Sequence, residues 1–288
     1  MDVEQISDTH INAINAINAI NATHVSAEQV AEYQTDGVTV LRNVVGPADL
    51  DALAAGVEEN LANPSEWASD YTPADTGGRF FGDYVTWPRI DAYRRVALES
   101  NLPEIARQLM GSASVRFFHE HVLVKEPGTN EITPWHHDQP YYCVDGDMNV
   151  SFWISLDPVP AAAGVEFLVG SHRWGRSFVP RKFVDSTAYS SPESGYELVP
   201  DIDAERDEHR IVSFDVQPGD VIAFSYRILH AAPGTAGLTN GRRRAVSMRY
   251  VGDDARFALR PWLHSPPFEQ NDLVVGGPLD DERFPLIA

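Results

Sequence analysis

The chain has 288 residues, with 22 Lys+Arg against 42 Asp+Glu and a formal net charge of −20. Such a surface repels nucleic-acid phosphate and anionic membranes, so neither is an expected partner. A single cysteine, Cys143, excludes an intrachain disulfide and a cysteine-rich zinc site, and fits a reducing, cytoplasmic setting.

Composition is that of a soluble globular protein, 43% hydrophobic and 22% charged. No apolar run reaches the ~18 residues of a membrane span, and no basic-then-apolar leader opens the chain. Residues 1–24 carry the triplet Ile-Asn-Ala four times in a row and read as a variable or disordered extension. Order is expected from 25 onward. Ser26 and Gln29 form a capping-box signature, Val30 and Tyr33 give a helical stripe, and Gly37 suits the helix end. "VTVLRNVV" reads as a buried strand. "GPADLDALAAGVEENLAN" follows as a second helix, with Pro47 in its first turn and Leu50, Leu53 and Val57 on one face. "LPEIARQLMG", 102–111, is a third. From 115 the texture changes to short strands separated by turns, the pattern of a sandwich or barrel. Residues 173–208 form a long polar stretch without a period, which reads as a lid. The Pro-rich C-terminal end reads as a wrap. Residues 25–288 therefore read as one domain, mainly β with flanking helices.

The chemistry concentrates in "TPWHHDQPYY", 133–142. In an extended chain His136 and Asp138 share a face and His137 points away. His230, at the end of the apolar stretch "GDVIAFSYRILHAAPG", is the candidate third ligand. Two histidines and one carboxylate on one side of a metal leave positions open, as in non-haem Fe(II) oxygenases. His119 and His121 also share a face and are alternative ligands or pocket-lining groups, whereas His172 reads as a turn residue. Downstream, "RRRAVSMRY" places Arg243, Ala245, Ser247 and Arg249 on one face and Arg242 and Arg244 on the other. Arg243 with Ser247 makes a fork and a hydroxyl suited to a carboxylate. The outward arginines read as a surface cluster.

This ordered set, with "FWISLDPV", "FLVGSHRWG" and the opening helix and strand, resembles the phytanoyl-CoA dioxygenase family of Fe(II)/2-oxoglutarate oxygenases over roughly 25–288. The resemblance implies a double-stranded β-helix, the cupin-like jelly roll. It implies Fe(II) on His136, Asp138 and His230, 2-oxoglutarate held by Arg243 with Ser247 and Trp135, and O2 as oxidant. It implies a substrate pocket drawn from Arg79, Phe81, Tyr84, His121, Tyr141 and Arg173. The expected reaction is hydroxylation of an unactivated C–H of a small metabolite or natural-product intermediate, with 2-oxoglutarate decarboxylated to succinate. Asp138 argues against a halogenase, which replaces that carboxylate with a small residue. "AAAGVEF" departs from the family's usual Asn-Gly and brings Glu166 into question as a pocket residue. A cluster of Arg173, Arg176, Arg181 and Lys182 opens the lid. Two other readings stay open: a cupin-type isomerase or hydrolase with another metal, and a non-catalytic jelly-roll binding module. A monomer or homodimer is expected.

Overall fold

A computed structural model describes residues 24–72, 77–192, 195–235 and 241–287. The Ile-Asn-Ala repeat lies outside them. Helix α1 (Ala27–Asp36) has the reciprocal cap read from the sequence. Ser26 Oγ accepts from Gln29 N–H, Gln29 Oε1 accepts from Ser26 N–H, and Gly37 closes the helix at φ 83°. Strand β1 (Val38–Leu41) leads to α2 (Pro47–Ala62), whose proline occupies the first turn. After β2 (Ser69–Asp70) and β3 (Phe80–Tyr84) comes α3 (Asp91–Glu99), a helix the sequence reading did not pick out. Helix α4 (Leu102–Met110) ends on Gly111 in the left-handed region.

The body is antiparallel. Strands β4 (Arg116–Lys125), β7 (Asn149–Ser155), β10 (Val221–Phe224) and β12 (Arg243–Val251) join the first three in a seven-stranded sheet ordered β1-β10-β7-β12-β4-β3-β2. A four-stranded sheet pairs β5 (Thr133–His136), β11 (His230–Ala232), β8 (Glu166–Leu168) and β9 (Ile211–Val212) in that order. Short strands β6 (Val144–Asp145) and β13 (Arg256–Phe257) pair separately. The two facing sheets and the helices outside them make the jelly roll expected from the sequence.

Alternation sorts the side chains of the large sheet into two layers. Val122 and Val124 of β4, Phe152 and Ile154 of β7, and Val246, Met248 and Tyr250 of β12 pack outward against Leu53, Val57, Tyr93, Val96 and Ile105 of α2, α3 and α4. The opposite face looks into the roll, where Trp153, Phe224 and Ala245 meet Phe167 and Ala232 of the small sheet. The small sheet's own outer face, with Leu168, Leu229 and Ala231, is covered by Phe178, Val199 and Ile202 of the long segment after β8. The tail adds Phe268, Leu279 and Phe284 to a further cluster around Phe118 and Tyr142. Both faces of both sheets are thus covered, and the space between the sheets is left for the site.

Candidate metal centre and its two chambers

β5 and β11 are paired with His136 directly opposite His230. Their register shifts by one residue between His230/Ala232 and His136/Thr133, and Pro134, which has no N–H to give a ladder, sits in that irregular stretch. The bulge brings Thr133 and His136 to the same cavity, and Trp135, next to His136, alternates to the outer face. Asp138 reaches the histidines differently from strand alternation. Its backbone is already helical (φ −72°, ψ −40°) and starts the 3-10 turn Gln139–Tyr141.

Both imidazoles are fixed by their own strands. His136 Nδ1 donates to Pro134 O at 2.7 Å and His230 Nδ1 to Ile228 O at 3.1 Å. A neutral ring with Nδ1–H presents a lone pair at Nε2. Those two Nε2 atoms lie 3.6 and 3.8 Å from Asp138 Oδ1. Among the described residues, His136, Asp138 and His230 are the one such group whose ligand atoms all lie within 4.8 Å of one another. The donor set is two imidazole nitrogens and one carboxylate oxygen, which fits a divalent metal with open coordination positions. Burial, and secondarily the neighbouring His136, push His230 down to about 3, so it is neutral. Burial alone would raise the Asp138 carboxyl. Arg249 outweighs it, with the two histidines, and holds Asp138 well below its ordinary value. Arg249 Nη2 donates to Asp138 Oδ2 at 3.3 Å, leaving Oδ1 to face the imidazoles.

His137 faces away. Its Nε2 accepts from Phe178 N–H at 2.9 Å and ties the covering segment to the small sheet. His119 and His121 are not in the ligand group; they stand on the facing strand.

β4 and β12 line up a row of inward pairs: Arg243 with Lys125, Ala245 with Leu123, Ser247 with His121, Arg249 with His119. At ~3.4 Å per residue, Arg243 and Arg249 are roughly 20 Å apart along β12. The row feeds two chambers that share His121, His136, Asp138 and Phe183. The first contains Arg243, Lys125, Thr133, Ser247, Trp153 and His230. Arg243 is 6% exposed and donates to the Ala163 carbonyl. No carboxylate pairs with it among the described residues, and burial lowers it to about 10. Lys125 is 1% exposed, donates to the carbonyls of Glu131 and Pro233, and is pushed down to about 6 by burial and Arg243. A buried guanidinium without a counter-charge, with the Lys125 amine beside it, is suited to a carboxylate. The outward arginines are paired, Arg242 with Glu58 and Glu126, Arg244 with Glu58 and Asp157.

The second chamber contains Tyr71, Tyr84, His119, Tyr141, Tyr142 and Tyr189, with Arg181 and Ser265. Phe183 comes from a hairpin-like loop in the covering segment and lies 5.0 Å, ring to ring, from His136. The loop is clasped by Tyr141, whose hydroxyl donates to Arg181 O at 2.6 Å and accepts from Arg181 N–H at 2.8 Å.

Five residues lie elsewhere than expected. Trp135 lies on the outer face of β5, its Nε1 donating to Asp203, in a cleft of its own with Glu166. Glu166 pairs there with Arg206. Phe81 points into the helix-side core, and its neighbour Phe80 lines the first chamber. Arg79 sits at the surface, paired with Asp70 over the Phe81 ring. Arg173 lines a cleft on another side of the molecule with Tyr33 and Asp147. Sequence reading also passed over Lys125, Trp153, Phe183 and the role of Arg249. For Lys125 the signal was present, since it continues the alternation of His119, His121 and Leu123.

Residues 33–245 match the model of the family described as phytanoyl-CoA dioxygenase (PhyH). Among solved structures, the non-heme alpha ketoglutarate dependent carbocyclase SnoK from nogalamycin biosynthesis is similar at 22% identity and a TM-score of 0.72, over 93% of this chain and 98% of SnoK. The epimerase SnoN, solved with Fe3+, alpha ketoglutarate and nogalamycin RO, is similar at 20% identity and 0.71, over 91% and 98%. EctD from S. alaskensis, solved with 2-oxoglutarate and 5-hydroxyectoine, is similar at 20% identity and 0.63, over 88% and 85%. No curated protein sequence matches the chain. The chain belongs to the phytanoyl-CoA dioxygenase family. It is an Fe(II)/2-oxoglutarate-dependent oxygenase, and its cofactors are Fe(II), 2-oxoglutarate and O2. No helix among the described residues is long and apolar enough to cross a membrane.

Proposed function

We propose that this oxygenase hydroxylates an unactivated C–H bond of a small natural-product intermediate, with His136, Asp138 and His230 holding the metal and Arg243, Lys125 and Ser247 receiving the far carboxylate of 2-oxoglutarate. The observation that carries the reading is the pairing of a two-histidine, one-carboxylate cluster with a buried, uncompensated Arg243 in one cavity. Neither the isomerase nor the binding-module reading needs that arginine. Bound iron supplies the reduction of O2, for which 2-oxoglutarate gives two electrons on becoming succinate and CO2. The chain's share is positional. His136 and His230 turn Nε2 toward the cluster because their Nδ1–H groups are held by the backbone. Arg249 keeps Asp138 ionised and oriented. Phe183 closes the space over the metal and keeps it dry. The presence of Asp138 favours hydroxylation over halogenation.

A second reading, ring closure or epimerisation, is favoured by the likeness to SnoK and SnoN and by the tyrosines beside the metal. An untargeted metabolite extract from the source organism, incubated with enzyme, Fe(II) and 2-oxoglutarate under 18O2, separates the two. Hydroxylation gives a product carrying one 18O for each succinate. A product of unchanged oxygen content, formed with stoichiometric succinate, would replace it with the second reading.

A further inference from the structure

The second chamber holds buried polar groups that the metal and the 2-oxoglutarate contacts leave unused. We propose that it takes a neutral, ring-shaped substrate carrying a hydroxyl group that donates a hydrogen bond to His119 Nε2. The inference rests on the oxygenase reading and specifies the substrate class of the same site.

His119 is 1% exposed. Its Nδ1 lies 3.0 Å from Glu120 O, a carbonyl that can only accept, so Nδ1 carries the proton and Nε2 carries a lone pair. That Nε2 is buried with no partner among the described residues. A buried acceptor left without a donor is costly, so the site is complete only when an O–H or N–H arrives. Burial, with the charge of Arg249 directly across the strand pair, holds His119 well below its ordinary value and thus neutral. His121 Nε2, on the next inward position, is also buried and unpartnered, and that ring is held at about 3 by burial and Arg249.

The charges around the chamber select against ionic substrates. Asp138 is the one carboxylate among the described lining residues, and it is engaged by Arg249 and the metal ligands. An ammonium group would find no free anion. An anion would meet the half-buried Arg181, which donates equally well to neutral oxygens, and the buried Arg249, whose charge is already paired with Asp138. A phosphate-rich carrier such as a CoA thioester therefore has no seat. What remains is a wall of rings from Tyr71, Tyr84, Tyr141, Tyr142, Phe183 and Tyr189, suited to the faces of a cyclic ligand.

The test uses three probes with one phenyl ring and different charge: phenyl β-D-glucoside, benzylamine and phenyl phosphate. Each is added anaerobically to full-length protein loaded with Fe(II) and 2-oxoglutarate, and the visible charge-transfer band of the chelate reports binding. The glucoside is expected to shift the band at concentrations at least tenfold below the other two. His119→Gln, which keeps an acceptor, should retain this, and His119→Phe should weaken it about tenfold. The band before any probe is added should be the same in all three proteins. If Phe is too large for folding, His119→Met serves as the apolar replacement. Preference for benzylamine or phenyl phosphate, no shift with any probe, or unchanged affinity in the apolar variant would overturn the proposal. Absence of the band in wild type would instead overturn the oxygenase reading on which it rests.

Discussion

Arg243 shows how one residue's environment defines its job. It is buried, it shares its cavity with His136, Asp138 and His230, and its described protein partner is a neutral carbonyl, whereas Arg242 and Arg244 beside it are neutralised by carboxylates. Removing it should therefore raise the 2-oxoglutarate requirement on the order of a hundredfold, about 3 kcal/mol of charge-assisted hydrogen bonding. Arg242→Ala and Arg244→Ala should stay within about threefold, because half-exposed ion pairs contribute little. Steady-state KM values for the three variants check this. His137→Ala should keep iron, since its ring contacts the covering segment and not the cluster. Glu120 offers a pH test away from the metal. It is fully buried, its Oε2 has no partner, and burial raises its carboxyl to about 7 despite hydrogen bonds from Thr86 and Trp87. A folded pKa above the unfolded one means that the folded chain binds the extra proton. Its stabilisation is full below the unfolded carboxylate pKa near 4.3 and is lost as pH rises to about 7. Glu120→Gln removes that loss. Relative to wild type it should gain stability between pH 5 and pH 8, on the order of 3 kcal/mol in the limit. Thermal melts of both proteins at the two pH values decide it; a constant difference would contradict the assignment.

At the scale of elements, the bulge in β5 and the loop bearing Phe183 set the site. Strand alternation alone read β12 correctly, because that strand is long and regular, and every inward position fell where expected. It failed on β5 and β3. The bulge around Pro134 brings Thr133 to the cavity beside His136, while Trp135, next to the inward His136, faces outward, and on β3 the sequence cannot say which of two adjacent phenylalanines faces the cavity, since one residue of register exchanges the faces. Arg79 and Arg173 were misplaced for a related reason. Their surroundings depend on which loops meet, and nothing local in the sequence states that. The long segment after β8 was legible as a cover by its length and polarity, but not the rings of Phe183 and Tyr189 that it sends inward. Phe183→Ala should raise succinate formation without substrate several-fold by admitting water, with 2-oxoglutarate affinity within about twofold. Unchanged uncoupled turnover would show that Phe183 does not guard the metal.

Over the whole molecule, the jelly roll was readable because many weak signals fell in one order along the chain: the capped first helix, the H-x-D turn, the apolar strand ending in His230, and the arginine strand. Helix α3 was missed, because its buried residues, Tyr93, Val96 and Ala97, are separated by charged ones and form only a narrow stripe. The roll brings together groups from both sheets, His136 and His230 from the small one and Arg243, Lys125 and Ser247 from the large one, so the candidate site exists only when the two sheets face each other. Fe(II) and then 2-oxoglutarate are titrated anaerobically into wild type, Asp138→Ala and Arg243→Ala while the visible chelate band is followed. The account predicts a band in wild type, none in Asp138→Ala for want of bound iron, and in Arg243→Ala a band that saturates only at roughly hundredfold higher 2-oxoglutarate. A band of full strength and unchanged midpoint in either variant would contradict it.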